Sequence, residues 1–214
     1  LGSDVDGDAL TFSITGGSDI TATLDGSDIA FTASENFNGS ETFTIATTDS
    51  ELSDSQDITV TVNAVNDAPV ATTGLSGTTN EDQDIVINLS GSDVDGDALT
   101  FTTGTPSNGS ITIDGNIATY TPNQDYNGDD SFTFTVTDTD LENPLSDTAT
   151  VTLIIDPVND APVLAAVSDV DFDEDTSTSI SVSGSDVDGD ALTFSITGGS
   201  DITVTLDGSD IVFT

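Results

Sequence analysis

The sequence predicts an all-β protein made of small sandwich domains in tandem. Apolar and polar residues alternate with a period of two almost throughout, and no stretch shows the helical period. The alternating segments are rich in Thr, Ile, Val and Phe, which favour strands. Long phrases of sequence also recur 89 and 93 residues apart, which is the length of a small sandwich domain. Similar β domains therefore follow one another along the chain.

The strands follow from the alternating apolar residues. The clearest segments are 58–62, 85–89, 111–113, 117–120, 132–136 and 151–155. Asp114-Gly115 separates two of them, and Asp25-Gly26 stands at the matching place earlier in the chain, which predicts two hairpins. Residues 68–160 give about seven strands, which favours an Ig-like Greek-key sandwich. Most of the ten Phe residues occupy alternating strand positions, so we expect them to pack in the core.

Two repeated phrases divide the chain. An acidic phrase, Ser-Asp-Val-Asp-Gly-Asp-Ala-Leu-Thr-Phe, occupies residues 3–12, 92–101 and 185–194. Val-Asn-Asp-Ala-Pro-Val occupies residues 65–70 and 158–163, and its Pro interrupts a central strand, so we interpret it as a domain junction.

These junctions predict three repeats. Residues 1–67 form a partial repeat without its first strands, residues 68–160 a complete repeat, and residues 161–214 a partial repeat without its last strands. We refer to them as repeats one, two and three. Residues 1–32 match residues 183–214 at 29 of 32 positions, so repeats one and three are of one type.

The charge of the chain excludes several functions. There are 40 acidic residues and no Lys, Arg or His, which gives a net charge of −40. Without basic side chains the chain cannot bind nucleic acid or an anionic membrane surface directly. The absence of Cys excludes disulfides and thiolate metal sites. Catalytic triads and Schiff bases are also excluded, and no carboxylate pair stands out as a glycosidase site, so we expect no enzymatic activity.

The acidic phrase points to a cation. Asp93, Asp95 and Asp97 alternate along an extended segment, and Gly96 lets the segment bend. Calcium takes six to eight oxygen ligands from carboxylates, carbonyls and water, and such a loop can turn its carboxylates onto one ion. The loop is not an EF-hand, because no Glu closes a twelve-residue ring. A solvated Asp-Gly turn is the alternative, but a turn does not need three carboxylates in every copy.

Four motifs of the chain resemble segments of one known protein family. Gly91–Asp97 resembles the Asp-x-Asp loop of cadherin repeats, and 134–138 resembles the strand that ends in a ligand Asp. The linker 158–163 and the acidic start 80–82 resemble the corresponding cadherin segments. Together they are similar to bacterial cadherin-like tandem repeats, which are Ig-like extender domains of giant secreted, RTX-type adhesins. The resemblance covers the whole chain and implies a cadherin-like sandwich for each repeat.

The resemblance implies Ca²⁺ at the domain junctions. The first junction, between repeats one and two, would use Asn66, Asp67, Asp93, Asp95 and Asp138. The second junction, between repeats two and three, would use Glu81, Asn159, Asp160, Asp186 and Asp188. Asp4, Asp6 and Asp49 would cap repeat one. Further ligands would be Asp8, Asp97, Asp190 and Glu174, the counterpart of Glu81 in repeat three.

The chain also departs from the cadherin pattern. Ala68 and Ala161 stand where the cadherin linker has Asn. The mid-domain acidic pair has no clear match; Asp125 and Asp130 are the nearest candidates, and Asp125 aligns with Asn36 in repeat one. The number of ions at each junction is therefore left open.

These features predict a structural spacer of a large adhesin, secreted or on the surface of a Gram-negative bacterium and involved in cell adhesion or biofilm. Calcium would stiffen each joint, and the partners would be neighbouring repeats of the same chain. One alternative is a strand-swapped or homotypic filament module that binds copies of itself. Another is a carbohydrate-binding module, which the absence of Trp and the presence of only two Tyr disfavour.

Overall fold

The computed structural model describes residues 2–140 and 142–214, and these residues contain strands, turns and irregular segments but no helix. None of them therefore forms a helix long and apolar enough to span a membrane. The chain separates into two compact units. The first covers the chain up to Thr73 together with Leu89–Thr103 and Phe134–Ala149, and the second covers Gly74–Asn88, Gly104–Thr133 and Thr150–Thr214. The predicted repeat boundaries at 67 and 160 stay a prediction.

Repeat one contributes five strands. They are β1 (Thr11–Gly16), β2 (Ile20–Asp25), β3 (Asp28–Ala33), β4 (Gly39–Thr48) and β5 (Ser53–Val62). One antiparallel sheet has the order β1-β4-β5, and β2 and β3 form a separate hairpin. The hairpin turns at Gly26, which has a φ of 64° and so follows the Asp-Gly prediction. Among the described residues of this repeat, Ile20 and Phe43 are the buried apolar side chains, and Phe31 packs edge-on against Phe43 at 5.1 Å.

The described residues of repeat two form nine strands, seven of them in two sheets and two in a short ribbon. The first strands are β6 (Val70–Ala71), β7 (Ser76–Asn80), β8 (Ile85–Asn88), β9 (Gly91–Ser92) and β10 (Leu99–Thr103). They are followed by β11 (Gly109–Asp114), β12 (Ile117–Pro122), β13 (Gly128–Asp138) and β14 (Ser146–Asp156). One sheet has the order β10-β13-β14-β7 and the other β11-β12-β8, while β6 pairs with β9. The parallel pairing of β14 with β7 joins strands far apart in sequence.

The core of repeat two follows the predicted alternation. Phe132, Phe134 and Val136 are buried on β13, as are Val151, Leu153 and Ile155 on β14. In the second unit the two sheets pack closely at Gly77 of β7, where a Cβ atom would lie 2.6 Å from Ile85 Cδ1 of β8. A larger side chain would therefore separate the two layers there. The all-β sandwich prediction is confirmed.

Repeat three contains five strands of two to four residues each. They are β15 (Val163–Leu164), β16 (Thr178–Ser181), β17 (Gly184–Ser185), β18 (Val204–Asp207) and β19 (Asp210–Phe213). β15 pairs with β17, and the remaining three form a sheet of order β16-β19-β18. Val182 and Ile211 are its buried apolar side chains.

Candidate metal centre

Each acidic loop folds around the side chain of its first Asp. In repeat two, Asp93 Oδ1 accepts the backbone N–H groups of Asp95 at 2.8 Å and Asp97 at 3.4 Å. In repeat three, Asp186 Oδ1 accepts those of Asp188 at 3.1 Å and Asp190 at 3.2 Å. In repeat one, Asp4 Oδ1 accepts those of Asp6 at 2.8 Å and Asp8 at 3.1 Å. The Gly between the second and third Asp of each loop has a φ of 79° to 86°, a conformation that residues with a side chain rarely adopt. The sequence Asp-x-Asp-Gly-Asp therefore gives the same loop conformation three times.

The first junction brings the linker, the acidic loop and the end of β13 together within the first unit. The backbone N–H of Asp67 donates to Asp95 Oδ2 at 2.8 Å. The amide of Asn66 donates to Asp138 Oδ2 at 3.0 Å and to the Asn143 carbonyl at 3.1 Å. The predicted ligands from separate parts of the chain therefore lie together at this junction.

Negative charge at the first junction has little compensation. Asp93 Oδ2 is buried, and no donor in the described part of the chain reaches it. Burial raises the pKa of Asp97, and the nearby carboxylates of Asp93, Asp138, Asp140 and Asp95 raise it further. Burial also opposes ionisation of Asp138, but the amide of Asn66 and the N–H groups of Leu145 and Asp140 outweigh it and hold the pKa below its usual range.

The second junction is organised by Glu81, which lies directly after β7 and is 4% exposed. Its backbone N–H donates to the Asp156 carbonyl at 2.9 Å, at the end of β14. Its carboxylate accepts the N–H of Val158 in the linker and the amide of Asn127 at 3.3 Å. Glu81 therefore ties the start of repeat two to the linker that follows it.

Two trios of carboxylates meet at this junction and share Asp160. Oxygen atoms of Glu81, Asp160 and Asp188 lie within 4.8 Å of one another, and so do those of Asp82, Asp125 and Asp160. The linker is fixed to the acidic loop because the N–H of Asp160 donates to Asp188 Oδ2 at 2.7 Å. The N–H of Asp125 donates to Asp82 Oδ1 at 3.1 Å, which links two members of the second trio that are far apart in sequence.

Asp160 is the electrostatic centre of the two trios. Burial raises the pKa of its carboxyl group, and the charges of Asp125, Asp188, Glu81 and Asp82 add to this effect. Asp160 Oδ2 is buried without a hydrogen-bond donor among the described residues. A buried carboxylate oxygen among like charges is costly unless a cation is present, and the chain has no basic side chain to supply one. A donor set made of oxygen atoms fits a hard divalent cation such as Ca²⁺.

Other predicted ligands belong to neither trio. Asn159 is exposed, and its amide donates to the Asp160 carbonyl at 2.9 Å. Glu174 and Asp190 are exposed and belong to neither trio. At the cap of repeat one, Asp4 and Asp49 line one cleft, and the N–H groups of Leu52 and Glu51 lower the pKa of Asp49.

The structure also separates the two mid-domain candidates. Asp125 joins a trio, whereas Asp130 accepts hydrogen bonds from the Tyr120 hydroxyl at 2.8 Å and the Asn108 N–H at 2.9 Å. Asp82 is not among the ligands predicted from the sequence. Its position beside Glu81, which the resemblance did select, was the only signal available.

The chain matches a family model described as bacterial Ig domain over residues 1–61 and 66–154. No curated protein matches the chain. Among solved structures, human protocadherin-24 EC1-2 aligns with a TM-score of 0.50 and 19% identity, over 75% of this chain and 87% of that one, which shows a shared fold.

Two further structures are less similar in three dimensions. An endo-fucoidan hydrolase from glycoside hydrolase family 107 has 25% identity and a TM-score of 0.32, and the alignment covers 72% of this chain but only 24% of that one. Drosophila N-cadherin EC1-3 has 12% identity and a TM-score of 0.37, over 72% of this chain and 57% of that one. The matches of the family model span more than half of the chain, which therefore belongs to the bacterial Ig domain family.

Proposed function

We propose that this chain is a spacer segment of a large bacterial adhesin, secreted or exposed on the cell surface, and that Ca²⁺ at its junctions stiffens the array. The domains would be the three repeats 1–67, 68–160 and 161–214, with a junction at each repeated linker. The proposal assigns no catalytic role. The neighbouring repeats are the partners of each domain.

The observation that carries the proposal is the environment of Asp160. Its buried Oδ2 lacks a donor among the described residues, and it lies in both carboxylate trios. A turn that only reverses the chain would leave such carboxylates in water. The buried Asp93 Oδ2 at the first junction is a second instance of the same feature.

The residues of the second junction come from four parts of the chain. Glu81 and Asp82 follow β7, Asp125 precedes β13, and Asp160 belongs to the linker. Asp188 belongs to the acidic loop of repeat three. Holding all of them at once removes freedom from the linker, and bound calcium would supply the positive charge that offsets their repulsion. An affinity of about 10⁻⁴–10⁻³ M, typical of extracellular calcium modules, is enough for this role.

The test is a thermal melt of the 214-residue chain in EDTA and then in millimolar calcium or magnesium. For a Kd of about 10⁻⁴ M, calcium at about 10 mM stabilises the folded state by about 2.7 kcal/mol per site. For a protein of this size each kcal/mol raises Tm by about 2–4 °C, so we expect a rise of several degrees with calcium. Small-angle scattering in the same buffers should show a longer, stiffer particle. Equal effects of both ions, or no effect, would contradict the proposal.

Asp160→Asn and Asp114→Asn form a matched pair of variants, since each removes one negative charge. Asp114 is exposed at the hairpin between β11 and β12 and belongs to neither trio. We expect Asp160→Asn to lose the part of the calcium increment that comes from the second junction, and to melt no lower than the wild type in EDTA because it removes like-charge repulsion. Asp114→Asn should keep the full increment. A lower melt of Asp160→Asn in EDTA would indicate a purely structural role for the carboxylate.

Homotypic association is a second candidate, and one observation favours it. Residues 193–198 have the same sequence as β1 but pair with no strand of the described chain. An unpaired edge can accept a strand from another copy. Light scattering at increasing concentration tests this candidate, because strand exchange would produce dimers or larger species, whereas a spacer remains monomeric.

A further inference from the structure

We infer that the two junctions are unequal in calcium affinity, because Asp125 contributes a charge at the second junction where Asn36 contributes none at the first. This inference rests on the proposed calcium role and specifies how that role differs along the chain. It predicts that one joint stiffens at a lower calcium concentration than the other.

The two junctions share one geometry. Asp67 and Asp160 hold the same place in the repeated linker phrase, and each donates its N–H to the middle Asp of the next acidic loop. The distances are 2.8 Å from Asp67 to Asp95 Oδ2 and 2.7 Å from Asp160 to Asp188 Oδ2. A difference between the junctions therefore arises from other residues around this shared frame.

Asn36 and Asp125 occupy equivalent positions 89 residues apart. Each is followed by an aromatic residue and then Asn-Gly. Both have left-handed backbones, with φ of 59° at Asn36 and 55° at Asp125. The next N–H closes the same turn in both repeats, from Phe37 to the Ser34 carbonyl at 3.2 Å and from Tyr126 to the Asn123 carbonyl at 3.1 Å.

Both side chains belong to their junctions. Asn36 lines the same cleft as Asp67 and Asp95 in the first unit. In the second unit Asp125 lies within 4.8 Å of Asp160 and Asp82, measured between carboxylate oxygens. The equivalent position therefore lies at the junction in both cases, with a neutral amide in one and a carboxylate in the other.

The charge of this residue sets the expected order of affinity. An amide can offer a carbonyl oxygen to calcium, but a carboxylate offers an oxygen with a full negative charge. The number of charged ligands is one of the features by which calcium sites tune Kd. At intermediate calcium concentrations the second junction would therefore be occupied while the first remains largely free.

Reciprocal substitutions in the 214-residue chain test this inference. Asp125→Asn should weaken calcium binding at the second junction by about tenfold, and Asn36→Asp should strengthen it at the first by a similar factor. Both replacements are isosteric, and Asn and Asp both tolerate a positive φ, so the fold should be retained. Each junction is compared with its own variant, so other differences between the two junctions do not enter the comparison.

Two charge-matched controls accompany these variants. Asp114→Asn removes a carboxylate, and Ser27→Asp adds one, each at an exposed hairpin turn. Circular dichroism in EDTA confirms the fold of every variant before titration. If the controls shift calcium affinity as much as the swaps do, total charge rather than position sets the affinity, and the inference is wrong.

Terbium luminescence can assign each shift to a junction. The two Tyr residues both lie in repeat two, and Tyr126 directly follows Asp125. Repeat one has Phe37 at the matching position, so tyrosine-sensitised terbium emission reports the second junction in the wild type. Phe37→Tyr adds a reporter at the first. Displacement of Tb³⁺ by Ca²⁺ then gives the Ca²⁺ affinity of each junction.

Calorimetric titration with Ca²⁺ separates failure of the inference from failure of the proposed function. If the wild type binds no calcium at millimolar concentration, the proposed function fails and the inference fails with it. If it binds calcium but neither swap changes the affinity of its junction, the inference alone is overturned. Opposite shifts at the two junctions support it.

Discussion

At the scale of single residues, the carboxylates outside the junctions show how the chain stabilises its loops without basic side chains. Glu41 and Asp130 are equivalent positions in repeats one and two. Glu41 accepts the Ser18 hydroxyl at 2.6 Å and the N–H of Ile20 at 2.8 Å, in the loop before β2. Asp130 accepts N–H groups of the loop before β11 together with the Tyr120 hydroxyl. Each carboxylate therefore holds the loop that precedes a hairpin.

The Glu41 loop contact predicts a pH dependence. The Ser18 hydroxyl, followed by the N–H groups of Asp19, Ile20 and Ser18, lowers the pKa of Glu41 from 4.5 to about 2. A folded-state pKa below the unfolded value gives stability that is present above pH 4.5 and lost as the pH falls towards 2. The wild type should therefore lose stability across this window relative to Glu41→Gln. Denaturant titrations of both proteins between pH 6 and pH 2 measure the difference, and a constant difference would contradict the assignment.

The residue scale also shows what the sequence could not predict. Asp125 and Asp130 are the nearest candidates that the sequence offers for the mid-domain acidic pair. Their roles diverge because Asp125 has a left-handed backbone and donates to Asp82, whereas Asp130 is buried beside Tyr120. Neither partner is close in sequence, so no local pattern indicates the choice.

At the scale of secondary-structure elements, repeats one and three contain copies of the same sequence. Comparing them distinguishes conformations that follow from local sequence from those that require pairing with a distant strand. The Gly pair that follows Thr-Phe-Ser-Ile-Thr keeps its conformation, with φ of 117° and 82° at Gly16 and Gly17 and of 116° and 87° at Gly198 and Gly199. The hexapeptide itself, Thr-Phe-Ser-Ile-Thr-Gly, is strand β1 at 11–16 and irregular at 193–198. Turns therefore follow from local sequence, whereas this strand depends on its partner β4.

Alternation accordingly predicted the strands of repeat two well, because residues 68–160 contain the partners of each one. It could not predict that residues 193–198 would be unpaired. The same cause explains the exposed Ile202, 47% accessible, whose counterpart Ile20 is 2% accessible at the start of β2. Apolar periodicity indicates which face of a strand can be buried, but the neighbouring strands decide whether it is buried.

Hydrogen exchange should distinguish the two copies. We expect slow exchange of the amides in β1, which are paired with β4, and fast exchange of those at 193–198. Peptic peptides that extend to Ala22 or to Val204 differ in mass, so mass spectrometry can separate the two nearly identical segments. Equal protection in both copies at high concentration, and its loss on dilution, would instead favour homotypic strand pairing.

At the scale of the whole molecule, the dominant property is a net charge of −40 with no basic side chain to offset it. Exposed charges repel one another and oppose the folded state, and salt reduces this effect. The Debye length falls from about 30 Å at 0.01 M to about 3 Å at 1 M salt, so general repulsion is nearly removed at high salt. A calcium effect that arises only from screening should disappear there.

Melts in sodium chloride therefore separate screening from site binding. Without calcium, rising sodium chloride should raise the Tm of the wild type, of Asp93→Asn and of the exposed control Asp114→Asn to a similar extent. At high salt, calcium should still raise the Tm of the wild type and the control, because the buried Asp93 Oδ2 is shielded from the solvent ions that screen exposed charges. Asp93→Asn should lose the part of this rise that comes from the first junction. If the calcium increment vanished at high salt in the wild type, the acidic loops would be stabilised by screening alone, and the joints of the array would remain flexible in calcium.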